Sequence, residues 1–254
     1  MSVRQAGRAR ATALAVLALA CLGSCSVRPS LPPPSPMLDP AQALRIVRER
    51  EDHVRSLRAR FTADTEREGE RHSADGVLLV KKPDRFRLRL MLPFGMTIFD
   101  YVSWGDRSQL ALPMENKIIR GPSQDSHVAF SQEDLRQAFL RGPNAFPGTC
   151  RTSNADAAGI VVGCRDAGGH LLRQIRIDAR AGTVLDEMSY EGDQPRLVIC
   201  YGDYRSAGDT YLPYHIALRY PGQHLTLDVA VQRYEVNPVL ADHLFQPVEP
   251  WAGS

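Results

Sequence analysis

The chain has 254 residues, of which 43% are hydrophobic and 24% are charged, and its formal net charge is +2. This length and apolar content suffice for one sizeable domain with a buried core. The near-balance of 31 basic and 29 acidic residues argues against nucleic acid as a partner, because nucleic-acid-binding domains carry a basic excess.

The first 24 residues have the pattern of a secretory signal. A short apolar run over 11–22 is too short for a comfortable membrane span. Small residues precede Cys25, and Leu22 stands three positions before it. This arrangement resembles the cleavage site of bacterial lipoproteins. The positive n-region consists of Arg4, Arg8 and Arg10.

The lipoprotein resemblance implies that 1–24 is removed and that Cys25 carries lipid, including palmitate, on its thiol and amine. Such a multiply acylated cysteine is a stable anchor. Cys21 is a second candidate, and an ordinary secreted protein is the remaining alternative. In enterobacterial lipoproteins an Asp after the cysteine favours the inner membrane. Ser26 stands there, so the resemblance implies the periplasmic face of the outer membrane.

Residues 25–40 form a proline-rich tether, because a run of this composition is extended and unpacked. A helix over 41–58 follows, with an apolar stripe that includes Leu44 and Val47. Asp39 is its candidate cap. The folded domain is predicted to span 41–250. The prolines of the tether are Pro29, Pro32, Pro33, Pro34, Pro36 and Pro40.

The clearest strand runs over 85–92, where apolar and mostly basic residues alternate with a period of two. A second strand is predicted over 96–104 from its aromatic and β-branched residues. Shorter strands over 108–113 and 117–120 complete an antiparallel meander. One apolar face of this sheet needs a cover.

The connection between the first two of these strands is unusually apolar for a turn. It consists of Leu92, Pro93, Phe94, Gly95 and Met96. One interpretation is that Phe94 and Met96 fold back as core. The other is an exposed apolar tip that contacts lipid or an apolar partner.

A second helix is predicted over 131–140, where the Ser131–Asp134 segment resembles a capping box. Beyond it, Cys150 and Cys164 flank a predicted hairpin, and an oxidising periplasm permits a disulfide between them. Cys200 is then expected to be a buried free thiol. The last two strands, over 212–219 and 225–234, form a hairpin across a Pro-Gly turn.

These patterns add up to about ten or eleven strands and two main helices. The predicted fold class is mostly β (α+β). A curved antiparallel sheet forms an open half-barrel, and the helices cover its concave face.

This arrangement resembles the LolA/LolB superfamily of periplasmic lipoprotein carriers, and most closely its LolB branch of outer-membrane lipoprotein receptors. The likeness covers about 41–246. Phe94 stands where the family's Pro-Leu-Gly loop has a protruding leucine. The segments that carry the resemblance are 75–78, 85–88, 93–97, the helix from Ser131 and the closing hairpin over 212–234.

The resemblance implies a carrier or receptor that holds acyl chains of lipoproteins, or of other lipids, in an apolar cavity and passes them to the outer membrane. A soluble periplasmic carrier is an implied partner. The alternative is a structural or sensory envelope lipoprotein that docks to a protein complex. The residues predicted to line the cavity, which ordinary core packing would also explain, are Phe86, Leu88, Leu90, Ile98 and Trp104.

No sequence pattern calls for an enzyme. The seven histidines form no metal-ligand spacing, and no nucleophile elbow or phosphate-binding loop is present. Asp100 in its apolar strand is either a perturbed carboxylate or, more commonly for Asp, exposed. We therefore expect no catalytic residue, no metal and no cofactor.

Overall fold

A computed structural model describes residues 37–122, 132–140, 146–156 and 159–247. The predicted signal peptide, Cys21, Cys25 and most of the tether lie outside the described residues, as do 248–250 at the end of the predicted domain. No helix within the described residues is long and apolar enough to cross a membrane.

The described chain forms one antiparallel sheet of thirteen strands in the order β6-β5-β4-β3-β2-β1-β13-β12-β11-β10-β9-β8-β7. Neighbours in the sheet are neighbours in sequence, except that β1 pairs with β13. The sheet is not closed, because β6 and β7 are its two edges. The strands are β1 (Ser56–Arg67), β2 (Glu70–Lys81), β3 (Arg85–Met91), β4 (Thr97–Trp104), β5 (Arg107–Leu112), β6 (Lys117–Pro122), β7 (Thr149–Asp156), β8 (Gly159–Arg165), β9 (Leu171–Ile177), β10 (Val184–Glu191), β11 (Gln194–Ala207), β12 (Thr210–Tyr220) and β13 (Leu225–Val236).

The prediction of a mostly β fold with an open antiparallel sheet is confirmed. The predicted count of ten or eleven strands was low, since the sheet of the described residues has thirteen. The alternation in β3 works as expected. Phe86 and Leu88 are buried in the core, while the arginines between them face the other side.

The first helix, α1, spans Pro40–His53 and begins with a capping box on Asp39, which accepts a hydrogen bond from the Gln42 backbone at 2.8 Å. The predicted helix over 41–58 was too long. The chain becomes extended at Val54, and Leu57 enters the core as part of β1. Val54 and Leu57 are three residues apart, as on one face of a helix, so the periodicity continued past the true end of α1.

The main core lies on one face of the sheet, to which both helices contribute. Ala43 and Val47 of α1 are buried there. The second helix, α2, spans Gln132–Phe139 and adds Leu135, Ala138 and Phe139. Both helices therefore pack their apolar residues into the same core as the strands.

A smaller apolar cluster lies on the opposite, outer face. The 3-10 turn Asp242–Phe245 packs there over Leu79 and Val102, with Trp104 partly buried against them. Trp104 therefore faces away from the main core. The prediction that it lines a cavity on that core side was wrong.

Cysteines of three strands form disulfides. Cys150 and Cys164 are joined by a disulfide at directly paired positions of β7 and β8. Cys200 is also disulfide-bonded. The expectation that Cys200 is a free thiol was therefore wrong.

Candidate functional site

An apolar groove of about 610 Å³ opens on the core side of the sheet, between the strands and α2. Apolar side chains dominate its wall, so water inside it finds few hydrogen-bond partners. We call this cavity the groove. Its apolar lining consists of Phe61, Ala63, Ala74, Leu88, Leu90, Leu92, Ile98, Phe99, Leu112, Met114, Leu135, Phe139, Leu227 and Val229.

Strand alternation explains the groove wall. Residues two apart on one strand face the same side, so β1 supplies Phe61 and Ala63 and β13 supplies Leu227 and Val229. The short Ala63 side chain leaves space. The rings of Phe61 and Phe139 are 5.1 Å apart and join α2 to the sheet at the groove wall.

Three of the five predicted lining residues, Leu88, Leu90 and Ile98, lie on the groove wall. Phe86 does not: it is fully buried, and its ring meets Tyr101 edge-on at 6.1 Å. Its prediction as a lining residue was wrong because it sits deeper in the packed core.

Ile98 and Trp104 are an even number of residues apart on β4, yet only Ile98 reaches the groove. A register shift between Leu90 and Met91 interrupts the pairing of β3 with β4, so that Leu90 pairs with Phe99 and Met91 with Thr97. Ile98 beside the shift and Phe99 both reach the groove. Simple alternation fails at this irregularity.

Sequence reasoning missed the contributions of β1 and β13. Their alternating patterns are visible in the sequence, but the pairing of Phe61 with Val231 and of Ala63 with Val229 joins segments far apart in the chain. No local signal could have identified these residues as partners across the groove floor.

Three loops meet at the mouth of the groove because alternate connections of an antiparallel sheet lie at the same end. They are the β1–β2 turn, the β3–β4 connection and the β5–β6 connection. The rim beside them is polar and includes Thr65, Arg71, His72 and Glu115. Arg71 pairs with Glu66 at 2.9 Å in an exposed position.

The β3–β4 connection is a closed turn whose apolar side chains point outward. The Leu92 N–H donates to the Met96 carbonyl at 2.9 Å, and the Gly95 N–H donates to the Leu92 carbonyl at 3.1 Å. Phe94 is fully exposed, with a φ of 75°. Pro93, Gly95 and Met96 are exposed too, while Leu92 is half-buried and lines the groove.

The interpretation of Phe94 and Met96 as core residues was therefore wrong. Met114 on the neighbouring β5–β6 connection is also exposed. We call Phe94, Met96 and Met114 the apolar tip. Large apolar side chains clustered in solvent are uncommon and mark interaction surfaces.

On its other side, α2 is held by buried polar contacts. Asp134 accepts hydrogen bonds from Arg196 at 2.6 and 2.9 Å and from the Tyr220 hydroxyl at 3.0 Å. Burial, with the Asp134 charge beside it, raises the pKa of the Tyr220 hydroxyl. The hydrogen bond to Asp134 raises the pKa of Arg196.

Gln137 of α2 makes a second, separate set of buried polar contacts. Gln137 accepts a hydrogen bond from Arg173 at 2.8 Å and donates to Glu187. Arg173 pairs with the fully buried Glu187 at 3.0 Å. A cavity of only about 60 Å³ remains between this part of α2, α1 and β10–β12.

Metal-ligand clusters and the buried Asp100 bear on possible reactivity. Within the described ranges no group of three or more His, Cys, Asp or Glu side chains could hold a metal ion. Asp100 is 4% exposed and lies on the outer face, where Arg87 and Arg89 bind both of its oxygens. It is an ion-paired structural carboxylate, so its interpretation as exposed was wrong.

Comparison with known proteins places the fold. No family model and no curated relative matches the chain. A DUF1329 family protein from Desulfovibrio piger superposes with a TM-score of 0.64 at 12% identity, over 80% of this chain and 94% of that one.

Two further structures agree. A putative outer membrane lipoprotein-sorting protein domain from Vibrio parahaemolyticus gives a TM-score of 0.60 at 14% identity, over 80% of this chain and 95% of that one. A LolA superfamily protein from Nitrosomonas europaea superposes with a TM-score of 0.60 at 10% identity, over 81% of this chain and 97% of that one. At these identities the likeness shows a LolA-type fold, and it does not single out the LolB branch.

Proposed function

We propose that this protein is a lipid-anchored periplasmic carrier or receptor. In this proposal it binds the acyl chains of lipoproteins, or of other lipids, in the groove and transfers them to the outer membrane. The observation that carries the proposal is an apolar groove of about 610 Å³ whose mouth lies beside the exposed apolar tip. Small-ligand sites have volumes of about 300–1,000 Å³.

The groove suits an acyl chain because its wall offers apolar contacts and few polar partners. Each methylene removed from water contributes roughly 0.8 kcal/mol. Leu135 and Phe139 of α2 already contribute to the wall, so α2 serves as the cover of the groove. An entering chain replaces contacts between this cover and the sheet with contacts to itself.

The apolar tip gives the groove a route to the bilayer. Phe94 occupies the position of the protruding leucine in the LolB-like loop, and Leu92 of the same loop reaches into the groove. In this proposal Phe94 enters the membrane or contacts the cargo, so that a departing acyl chain passes from one apolar environment to the next.

The anchor and tether complete the arrangement. Lipid on Cys25 holds the chain at the periplasmic face of the outer membrane. Residues 37–40 belong to the folded domain, so an extended 25–36 segment would span up to about 37 Å at about 3.1 Å per residue, which lets the domain approach both the bilayer and a soluble carrier. No step requires a cofactor or a covalent change in the cargo.

Native mass spectrometry of the mature protein purified from its envelope tests the binding step. We expect masses that correspond to bound acyl species, which disappear after denaturing extraction. A protein partner without any lipid supports the structural or sensory alternative. If the delipidated protein also fails to take up a synthetic acylated lipopeptide, the carrier proposal is wrong.

Delivery is tested by placing a charge at the tip. Phe94→Glu should leave the fold intact and reduce delivery of an acylated lipoprotein to outer-membrane vesicles, because a carboxylate resists transfer into hydrocarbon. Val239→Glu is the matched control, since Val239 is equally exposed but follows β13 at the opposite end of the sheet. Normal delivery by Phe94→Glu would remove the tip from the mechanism.

A further inference from the structure

A second cavity, of about 770 Å³, lies on the outer face of the sheet directly behind the apolar tip. We call it the basic recess. The pairing register aligns Arg89 with Asp100, Asp100 with Ala111 and Ala111 with Ile118, in one row across β3–β6. Met96 lines the recess and belongs to the apolar tip.

The carboxylate on the floor of the recess, Asp100, is outweighed by two guanidinium groups, that of Arg89 in the lining and that of Arg87 beside it. Arg87 donates to the two Asp100 oxygens at 2.8 and 2.7 Å, and Arg89 donates to one of them at 3.1 and 2.8 Å. Two guanidinium groups therefore share one buried carboxylate. Such charge-assisted contacts hold both arginines in place, and one positive charge is left over.

Two more cations line the recess. Lys117 and Arg120 are exposed, and neither forms an ion pair within the described part of the chain. Their ammonium and guanidinium groups are thus available to an anion. Thr97 and Asn116 add polar groups to the same wall. The recess therefore carries an excess of positive charge, and it adjoins the exposed apolar β3–β4 connection.

We propose that the basic recess binds the phosphate groups of anionic phospholipids while the apolar tip enters the bilayer. This inference rests on the proposed function, in which Phe94 reaches the membrane. When apolar side chains enter the boundary between headgroups and acyl chains, adjacent basic residues remain at the level of the phosphates. Charge complementarity therefore identifies an anionic bilayer surface as the occupant.

The test uses the mature lipid-anchored protein with Phe94→Trp as a depth reporter, reconstituted in vesicles that contain phospholipids with brominated acyl chains. Vesicles of phosphatidylcholine alone are compared with vesicles that also contain 30% phosphatidylglycerol. Fluorescence of the protein without this substitution is subtracted to remove the other tryptophans. We expect stronger quenching in the anionic vesicles, and we expect added salt to reduce the difference.

Charge-reversal variants test whether the recess causes the difference in quenching between the two kinds of vesicle. Each basic residue near an anionic surface is worth about a fivefold change in partitioning, so Arg120→Glu or Lys117→Glu should abolish most of the difference between the two vesicles. Arg60→Glu is the matched control, because Arg60 is exposed on β1, away from the recess. Inorganic phosphate at the same ionic strength should not compete with the bilayer.

The outcomes separate the two proposals. Equal quenching in both kinds of vesicle overturns the headgroup inference but not the membrane contact of the tip. The same holds if Arg60→Glu reduces the quenching difference as much as Arg120→Glu does. Competition by inorganic phosphate assigns the recess to a free anion and also overturns the inference. Absence of quenching in every vesicle overturns the membrane role of the tip and the headgroup inference together.

Discussion

The two sides of α2 are built differently. On the side that faces Phe61 and Ala63, α2 contributes Leu135 and Phe139 to a mostly apolar groove of about 610 Å³. On the side that faces β9–β12, it contacts buried carboxylates and arginines, and the cavity beside Gln137 has only about 60 Å³. We call these the groove side and the locked side.

The difference shows how one helix can act as a cover that remains attached. Apolar contacts have no fixed direction, so an acyl chain can replace them at little cost. Removing one partner of a buried ion pair costs much more folding stability, because the other charge stays buried without compensation. The locked side therefore positions α2, and in the proposed function the groove side admits the acyl chain.

The largest effect is expected on the locked side. Glu187→Ala leaves the Arg173 guanidinium, which is only 12% exposed, without its carboxylate. We expect the free energy of unfolding to fall by about 3–5 kcal/mol, measured by urea denaturation. Asp203→Asn is the control, because it tolerates the positive φ at this position and removes an ion pair with Arg205 that is solvent-exposed and is worth at most about 1 kcal/mol. Equal small losses in both variants would contradict the description of a locked side.

Two alanines of β1 test whether the groove has room for a larger side chain that the packed core lacks. Ala59 is fully buried in the core, and Ala63 lines the groove four residues later on the same face. Ala59→Leu should lower the free energy of unfolding by about 1–3 kcal/mol through overpacking. Ala63→Leu should have little effect on stability and should reduce acyl binding, which fluorescent fatty-acid titration measures. The comparison fails if both variants are destabilised alike.

A charge inside the groove should affect binding more than folding. Leu90→Glu places a carboxylate on the groove wall at a half-buried position. We expect acyl affinity to fall at least about tenfold, or about 1.4 kcal/mol. Thr226→Glu adds the same charge on the exposed outer face of β13 and should bind normally. Unchanged affinity in Leu90→Glu would place the acyl chain elsewhere.

The smallest effect is an alkaline loss of stability on the locked side. Burial raises the pKa of Tyr220, so the folded protein holds this proton more tightly than the unfolded chain. The stabilisation is complete below the unfolded pKa of about 10 and is lost as the pH rises above it, by at most about 1.4 kcal/mol per pH unit. Urea denaturation between pH 9 and about 11 should show this slope, and Tyr220→Phe should reduce it. An identical slope in that variant would exclude a contribution from Tyr220.

Local patterns predicted much of this protein. The alternation in β3 placed Phe86 and Leu88 on the core side, and Asp39 with Pro40 located the start of α1. The sequence did not reveal the end of α1, because Val54 and Leu57 are three residues apart and so continue the helical apolar stripe, although Leu57 belongs to β1. Whether Phe94 is core or surface was equally open, since turn composition does not say which way a side chain points.

The sequence by itself determined the antiparallel meander, its turns and an unusually apolar β3–β4 connection. These depend on residues that are neighbours in the chain and on steric preferences that act locally. Only the tertiary structure decided that β1 pairs with β13, that the tail turn covers Trp104 and that the apolar tip adjoins a basic recess. Those outcomes arise from contacts between distant segments, whose partners and register are chosen by the packing of the whole sheet.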